Sequence, residues 1–522
     1  MASDTDQQSV IAALHSPETW SATWPGSPDH VEVIETHAAY ILMAGQDVLK
    51  VKRAVRLPYL DFSTLEARRR VCEREIQLNA PHAPGLYRDV VAIRRRHNGT
   101  FIVGGSDGDV VEWAVRMARF EQDALLANVC DRGALTPVIM KQLADKVLAY
   151  HRATLPKASA VDRTAEIARS VARSIQRTAE QSVRVVSDAV AIGLEHQLVR
   201  SAAVRAERTE GGCIRRCHGD LHLSNIVLWH GEPVPFDALE FDEELATIDP
   251  LYDLAFLLMD LDRRDRRASA NLLLNRYLWR SGDVLDLRGL AALPMFLGLR
   301  ACVRAMVALD RLALTNVDRT MTIAHVIETL EHAAAYLRPP SPRFVAIGGL
   351  SGTGKTTLAA NVAASLGAVP GALHLRTDLE RKWLAGVDEL ERLPDSAYSD
   401  RATRATYDRV TARAAAALAA GHSVVVDGVF ATQSERLAVA GIAHHAHVAF
   451  QGIWLDAAAD IMKARVSLRS GDASDATADV VERQLAHAPR VTNWIHVDAN
   501  GPADLVAARA RSVLGVAVDA RG

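Results

Sequence analysis

Phe344-Val-Ala-Ile-Gly-Gly-Leu-Ser-Gly-Thr-Gly-Lys-Thr-Thr357 is the stretch on which the reading of this chain turns. Its first four residues are an apolar run of the kind that forms a buried strand, and the glycines after them end it in a turn. Gly349 to Thr356 then satisfies the spacing G-x4-G-K-[ST], between that strand and the helical pattern TTLAANVAASLG, the context in which the spacing has a mechanism. Glycines let the backbone fold into a nest of N–H groups aimed at phosphate, at the positive end of the following helix. Lys355 is expected to reach the β- and γ-phosphates of a nucleotide and the Thr356 hydroxyl to ligate Mg2+. The expected cradle is Gly349, Ser351, Gly352, Thr353, Gly354, Lys355, Thr356 and Thr357.

Downstream, strand and helix patterns alternate. ALHLR (372–376), a helix over 400–420, SVVVDGVF (423–430), a helix over 432–443 and VAFQGIWLD (448–456) are followed by helices over 457–468 and 476–487, IHVDA (495–499) and a last helix. Nearly all-apolar strands in that alternation predict an α/β domain, a parallel sheet covered by helices on both faces. Asp378 follows the second strand, where a general base would meet an acceptor hydroxyl, and Asp427 ends the third, where a carboxylate would sit near the metal. Lys463, Arg465 and Arg469 lead into the polar loop SGDASDAT (470–477). Arg469 is expected on the phosphates, stabilising charge as it spreads in transfer; pairing of these arginines with Asp472 or Asp475 is the open alternative.

The chain has 522 residues, 49% hydrophobic and 24% charged, and that length predicts about three compact units. A net charge of −3 leaves no global basic field to attract nucleic acid or anionic lipid. The polar start MASDTDQQSV is unlike a secretory signal, and no run is expected to reach the roughly 18 apolar residues of a membrane helix. Five scattered cysteines without a CxxC pair fit core thiols in a reducing compartment, so a cytoplasmic location is expected. Only eight of the 60 basic residues are lysines, which makes each lysine in a phosphate-binding context more informative.

Upstream, Arg338-Pro-Pro-Ser-Pro-Arg343 marks a linker (338–343) before the domain 344–522. VEVIETH, AYILMAG, DVLKVKRAV, DVVAIRR and DVVEWAVRMARF alternate as strands, with the charged helix LEARRRVCEREIQLN (65–79) among them, predicting a small α+β lobe over 25–120. Residues 121–337 read as a mostly helical lobe, interrupted at 213–250. That interruption carries Cys217-His218-Gly219-Asp220-Leu-His222-Leu-Ser-Asn225, then Asp237 in PFDALEF, then Asp249-Pro-Leu-Tyr-Asp253. Phosphoryl transfer asks for a carboxylate beside the acceptor hydroxyl plus an amide and a second carboxylate on Mg2+, the set that Asp220, Asn225 and Asp237 supply. Such a lobe pair also needs a phosphate-pairing lysine held by a helix carboxylate. Lys50 with Glu75 is the expected pair, and Lys52, on the same strand face, competes. His218 and His222 are read as fixing their loop.

The upstream motifs resemble the aminoglycoside-phosphotransferase-like branch of the protein-kinase fold, with FDA in place of the usual IDW and IETHAAY (34–40) in place of a glycine loop. The resemblance implies Asp220 as base or hydroxyl-orienting group, Asn225 and Asp237 as metal ligands, Asp253 as structural, and adenine on a connector around 113–117. Residues 344–515 resemble the small P-loop kinases, the group of gluconate kinase, chloramphenicol phosphotransferase and zeta-toxin-like enzymes. That implies an arginine-bearing lid and action of Asp378 on the acceptor.

The expectation is therefore a multidomain chain, an α+β bilobal kinase-like fold followed by an α/β P-loop domain. It would be a bifunctional kinase that uses ATP and Mg2+ to phosphorylate hydroxyls of small molecules at two sites. A single kinase with a regulatory nucleotide domain is the alternative. Antibiotic modification is another, because the cluster Glu240, Asp242, Glu243 and Glu244 would suit a polycation or, equally, be a solvated loop. Arg300 and Arg304, four apart on an apolar helix, would suit an acidic substrate or a buried salt bridge.

Overall fold

A computed structural model describes residues 4–20, 30–36, 38–57, 60–157, 161–178, 180–310, 312, 318–469 and 471–515. Residues 25–29 of the expected first lobe, His37, Ser470 of the polar loop and residues 516–522 lie outside the described residues. The chain forms two compact units. One comprises Met1–Thr164, Gly212–Leu257 and Asp310–Arg319; the other comprises Ala165–Gly211, Leu258–Leu309 and Thr320–Gly522. The helical segments 165–211, 258–309 and 320–337 thus belong to the same unit as the C-terminal sheet, although they precede the proline-rich stretch.

The first unit is built on a six-stranded antiparallel sheet in the spatial order Val31–Glu35, Ala39–Ala44, Asp47–Lys52, Asp109–Ala118, Tyr87–Arg95, Phe101–Val103. Alternation sends Leu49 and Val51 to a core with Leu42, Ile93, Val103 and Ala114, which is closed by Val10, Ile11, Leu14 and Trp20. Val10, Ile11 and Leu14 lie on helix Asp4–Leu14, an element that the sequence pattern does not announce. It is fastened by Gln7, whose amide donates to Glu112 and to the Lys52 carbonyl, both at 2.8 Å. Glu112 is fully buried and held from the other side by Arg68 Nε at 2.8 and 3.0 Å. Arg68 lies on helix Leu65–Asn79, which has the expected span and is capped at its start by the Thr64 hydroxyl.

The second unit contains a five-stranded sheet, parallel throughout, ordered Leu373–Arg376, Val424–Asp427, Arg343–Gly349, Ala449–Asp456, Ile495–Asp498. Helices Lys355–Ser365 and Ala503–Leu514 cover one face through Leu358, Val362, Val506 and Ala510, packed on Val345, Ile347, Val425 and Ile453. Arg343–Gly349 is the central strand, so the motif after it opens at the carboxyl edge of the sheet, where parallel α/β folds bind ligands. A helix Thr377–Ala385, not expected from the sequence, begins directly after the edge strand.

All five cysteines are buried and free, as expected of core thiols. The expectation about apolar runs needs one correction: Val284–Asp310 is long and apolar enough to cross a membrane by length and composition, although 67% of that window is buried inside the fold. Arg300 lies on this run and is itself buried.

His422 sits in the turn before strand Val424–Asp427, its backbone N–H donating to Ala417 O at 2.9 Å. Burial pushes its imidazole down to about 4, against a hydrogen bond with the Gly371 backbone. A base with a depressed native pKa binds more protons when unfolded, so its contribution is complete above about pH 6.5 and is lost as pH falls towards 4. Acidification across that window should remove about 3 kcal/mol through this group. Urea unfolding at pH 7 and pH 4.5 should show a smaller pH-dependent loss in His422→Gln than in the parent; equal losses would contradict this.

Candidate active sites

Strand Asp47–Lys52 puts Lys50 and Lys52 on the sheet face opposite Leu49 and Val51, towards helix Leu65–Asn79. Both expected partners meet. Lys50 Nζ lies 2.9 Å from Glu75 Oε1, and Lys52 Nζ lies 2.6 Å from Glu75 Oε2. Lys50 also bonds Asp237, while Lys52 is held at 2.6 Å by Glu240. Glu75, fully buried, therefore carries one ammonium on each oxygen, and the competition between the two lysines ends in a division of labour. Of the two, Lys50 is the one that touches the carboxylate expected on the metal.

The charges tune one another. Burial would raise the Asp237 carboxyl, but the Lys50 and Lys52 ammonium groups hold it below the ordinary carboxylate range. Burial would lower Lys50; Asp237 and Glu75 raise it well above the usual lysine value. Glu240 stays raised by burial despite Lys52.

Asp237 adopts a left-handed backbone, φ 61°, which aspartate tolerates better than most residues. Its N–H donates to the Tyr87 hydroxyl at 3.0 Å, and the next N–H, of Ala238, donates to Asn79 Oδ1 at 2.8 Å. Asn225 Nδ2 donates to Asp220 Oδ2 at 2.9 Å and to its carbonyl at 3.0 Å. That spends the amide nitrogen and leaves the amide oxygen for a hard cation, the donor type Mg2+ prefers, with the half-exposed Asp237 carboxylate as the second oxygen ligand.

The loop itself is suspended from Asp253, whose oxygens accept from the N–H groups of His218 (3.0 Å) and Gly219 (2.9 Å), with His151 Nε2 at 3.1 Å. His218 Nε2 meets Phe236 O at 2.9 Å and its Nδ1 accepts from Asp220 N–H at 3.3 Å; His222 Nδ1 accepts from Ser224 N–H at 3.3 Å. Both histidines tie loop backbone together.

In the second unit, Gly349, Gly352 and Gly354 have φ of 147°, 86° and 91°. A Cβ at Gly352 would lie 2.5 Å from Met462 O, so this loop conformation excludes other residues there. Lys355 opens helix Lys355–Ser365 and folds back onto the loop, Nζ to Leu350 O at 2.9 Å. Burial pulls this lysine below its ordinary pKa, against Asp427 and Asp378. Asp427 lies 3.2 Å from His374 Nε2; burial would raise its carboxyl, and His374, Arg376 and the nearby Thr356 hydroxyl keep it below the ordinary range. Two oxygen donors side by side, Thr356 and Asp427, again fit Mg2+.

Asp378 lies in the first turn of helix Thr377–Ala385. Burial raises its carboxyl, opposed by Arg376. Arg376 grips Asp472 at 2.6 Å, and Arg469 reaches the same carboxylate at 3.4 Å, so the pairing with Asp472 is the arrangement this structure holds. Arg465 turns to the carbonyls of Thr353 (3.5 Å) and Gly501 (3.1 Å).

Some expectations change. Residues 113–117 lie inside strand Asp109–Ala118, so the connector begins only at Arg119. The acidic cluster is not one loop of free charge: Glu240 is buried against Lys52, Glu243 pairs with Arg74 and Arg216, Glu244 pairs with Arg163, and Asp242 caps helix Glu243–Ala246. His374 and Arg376 join the site without having been expected there; the period-two alternation of ALHLR, which sets both on one face ahead of Asp378, is the signal that would have found them.

Residues 344–491 match the family model described as an AAA domain, AAA_33. Over 495 residues the chain is 30% identical to the uncharacterized protein Rv2004c of Mycobacterium tuberculosis (strain ATCC 25618 / H37Rv), covering 92% of this chain and 94% of that protein. Solved structures similar to parts of the chain include an ethanolamine kinase of Plasmodium vivax (11% identity, TM-score 0.39, 60% of this chain and 84% of that one). Another is a sugar kinase from Janibacter sp. HTCC2649 (22% identity, TM-score 0.27, 34% and 96%). The upstream unit has a six-stranded antiparallel sheet, and the downstream one has the parallel sheet of a P-loop NTPase.

The division of labour at Glu75 has a measurable consequence. Lys52→Met strands Glu240 in the interior and should cost about 3–5 kcal/mol in equilibrium urea unfolding. Lys50→Met should cost less, because Lys52 still holds Glu75, yet abolish chemistry at this site. Equal stability losses would refute the assignment.

Proposed function

The chain belongs to the family of the mycobacterial protein described above, and on that premise we propose that it is a cytoplasmic bifunctional kinase. It has two separate sites, each moving the γ-phosphoryl group of Mg-ATP to a hydroxyl of a small molecule. One observation supports this above others: each unit gathers a lysine at least half-buried, a carboxylate for the acceptor and an oxygen pair for the metal. In the first they are Lys50 on Glu75, Asp220, and Asn225 with Asp237. In the second they are Lys355, Asp378, and Thr356 with Asp427.

The chemistry follows from these groups. At the first site Lys50, positioned by Glu75, pairs with nucleotide phosphate, and Asp220 accepts the hydroxyl proton as the acceptor's oxygen bonds the γ-phosphorus and the bond from that phosphorus to the departing nucleoside diphosphate breaks. At the second, the loop N–H groups and Lys355 cradle the phosphates, Arg469 leaves Asp472 for the transferring group, and Asp378 orients the acceptor hydroxyl. Magnesium, when bound, neutralises charge on the β- and γ-phosphates. A regulatory domain would be expected to lack one of these groups, and neither set does. Antibiotic modification draws no support, since the acidic cluster is committed to Lys52, Arg74, Arg216 and Arg163.

Protein, Mg2+ and γ-labelled ATP mixed with a small-metabolite extract should yield labelled small molecules. Asp220→Ala should lose one product and Lys355→Ala another, or halt a two-step series midway, each by about 10^2–10^4-fold. A variant that matches wild type in every product would make its domain a regulator, and label retained on protein would make the acceptor a protein.

A further inference from the structure

The edge strand Leu373–Arg376 has one free side, on which Ala372 C=O and His374 N–H point away from strand Val424–Asp427. A bare edge of this kind invites foreign pairing unless something covers it. Helix Arg267–Ser281, which precedes the phosphate loop by about 70 residues and belongs to the same compact unit, covers it with side-chain amides. Asn275 does what a neighbouring strand would do: its Oδ1 accepts from His374 N–H at 2.6 Å and its Nδ2 donates to Ala372 O at 3.2 Å. Asn271 Nδ2 adds a second bond to Ala372 O at 2.9 Å. Gly371 is required at the approach, because a Cβ there would lie 2.8 Å from Asn271 Nδ2 and 2.4 Å from Ala363 O.

The same helix grips the residues beyond the strand. Trp279 Nε1 donates to Leu379 O at 3.1 Å, one residue past Asp378. Arg276 bonds Glu389 at 2.7 Å, and the other oxygen of Glu389 lies 3.9 Å from Arg376, which holds Asp472. From the docked strand, His374 reaches Asp427 at 3.2 Å. Of the two carboxylates assigned to this site, Asp378 follows this short strand directly, and Asp427, which ends the neighbouring strand, is met from it by His374; the short strand is itself held by a helix outside the motif-bearing segment.

We propose that helix Arg267–Ser281 is a working part of the P-loop site, with Asn275 and Arg276 as positioning residues that set Asp378 and, through His374, Asp427. This rests on the P-loop kinase reading above, and it makes 344–522 an incomplete catalytic module. Reacting groups misplaced by about an ångström lose much of their rate without losing their ligand. Asn275→Leu and Arg276→Met should thus lower kcat while sparing nucleotide affinity, the opposite of what removing a phosphate contact does.

The test uses the full chain in an Asp220→Ala background, with Mg-ATP and water as the acceptor, and Lys355→Ala as reference. Asn275→Leu and Arg276→Met should each reduce kcat about tenfold, with KM for ATP and calorimetric affinity for Mg-AMP-PNP changed by less than about threefold. Amide hydrogen exchange over 373–380 should accelerate about tenfold in both, a readout that needs no turnover. Arg276→Lys, which keeps a cation against Glu389, should recover most of the loss and guard against a folding defect. Arg280→Met, which breaks the exposed pair with Asp388 on the same helix, should behave as the parent. If Lys355→Ala stops turnover while the Asn275 and Arg276 variants keep parental kcat and exchange, the helix merely covers an edge and this inference falls alone. If Lys355→Ala leaves turnover intact, the P-loop reading falls and takes the inference with it.

Discussion

Glu75 has no exposure to solvent, and its two oxygens are taken one each by Lys50 and Lys52. Much of the first unit answers to that constraint. Two lysines two residues apart on one strand must share a face, which forces Leu49 and Val51 into the opposite core and so sets the register of the whole antiparallel sheet. The lysines bring two further carboxylates, so Asp237 and Glu240 are pinned to the sheet rather than to their own loop. An isolated buried charge is too costly to persist, and a charge network of this kind is held as a unit or not at all.

The second unit meets the same requirement with a different fold. Its lysine comes from a helix start rather than a strand, and its counter-charges come from a strand end, Asp427, and the first turn of a helix, Asp378, at the carboxyl edge of a parallel sheet. On the function proposed, two different folds arrive at one arrangement: an ammonium for phosphate, a carboxylate for a hydroxyl proton, and paired oxygens suited to a hard cation. Such an arrangement favours phosphate, because the phosphate oxygens replace carboxylates that already sit in a positive field. Lys50 bonded to Asp237, and Arg469 bonded to Asp472, are the contacts a nucleotide would exchange.

What could be read in the sequence was local. Helix Leu65–Asn79 shows its start in the chain because Thr64 caps it, and the strands from Val31 to Lys52 declare themselves by alternation. The phosphate loop is legible because its geometry needs glycine at fixed places. The contacts of Lys50 with Glu75 and Asp237, and of Asn225 with Asp220, join residues that the expected chemistry had singled out by type and rough spacing. Three things were hidden. Helix Asp4–Leu14 is polar along much of its length and gains its place only by tertiary contacts through Gln7, Val10 and Leu14. Glu240 looks like its neighbours Glu243 and Glu244 on paper, and only the fold buries the first and leaves the others at the surface. Asn271 and Asn275 read as two polar residues on an ordinary helix, since nothing local reveals that a strand edge will lie against them.

On the function proposed, one chain carries two nucleotide sites built on different folds. Calorimetric titration of the full-length protein with Mg-AMP-PNP tests it most directly, because it needs no knowledge of either acceptor. Two molecules should bind per chain, falling to one in Lys355→Ala and to one in Lys50→Met, each variant removing a different site. A single molecule per chain in the parent, lost entirely in one variant and untouched in the other, would contradict it.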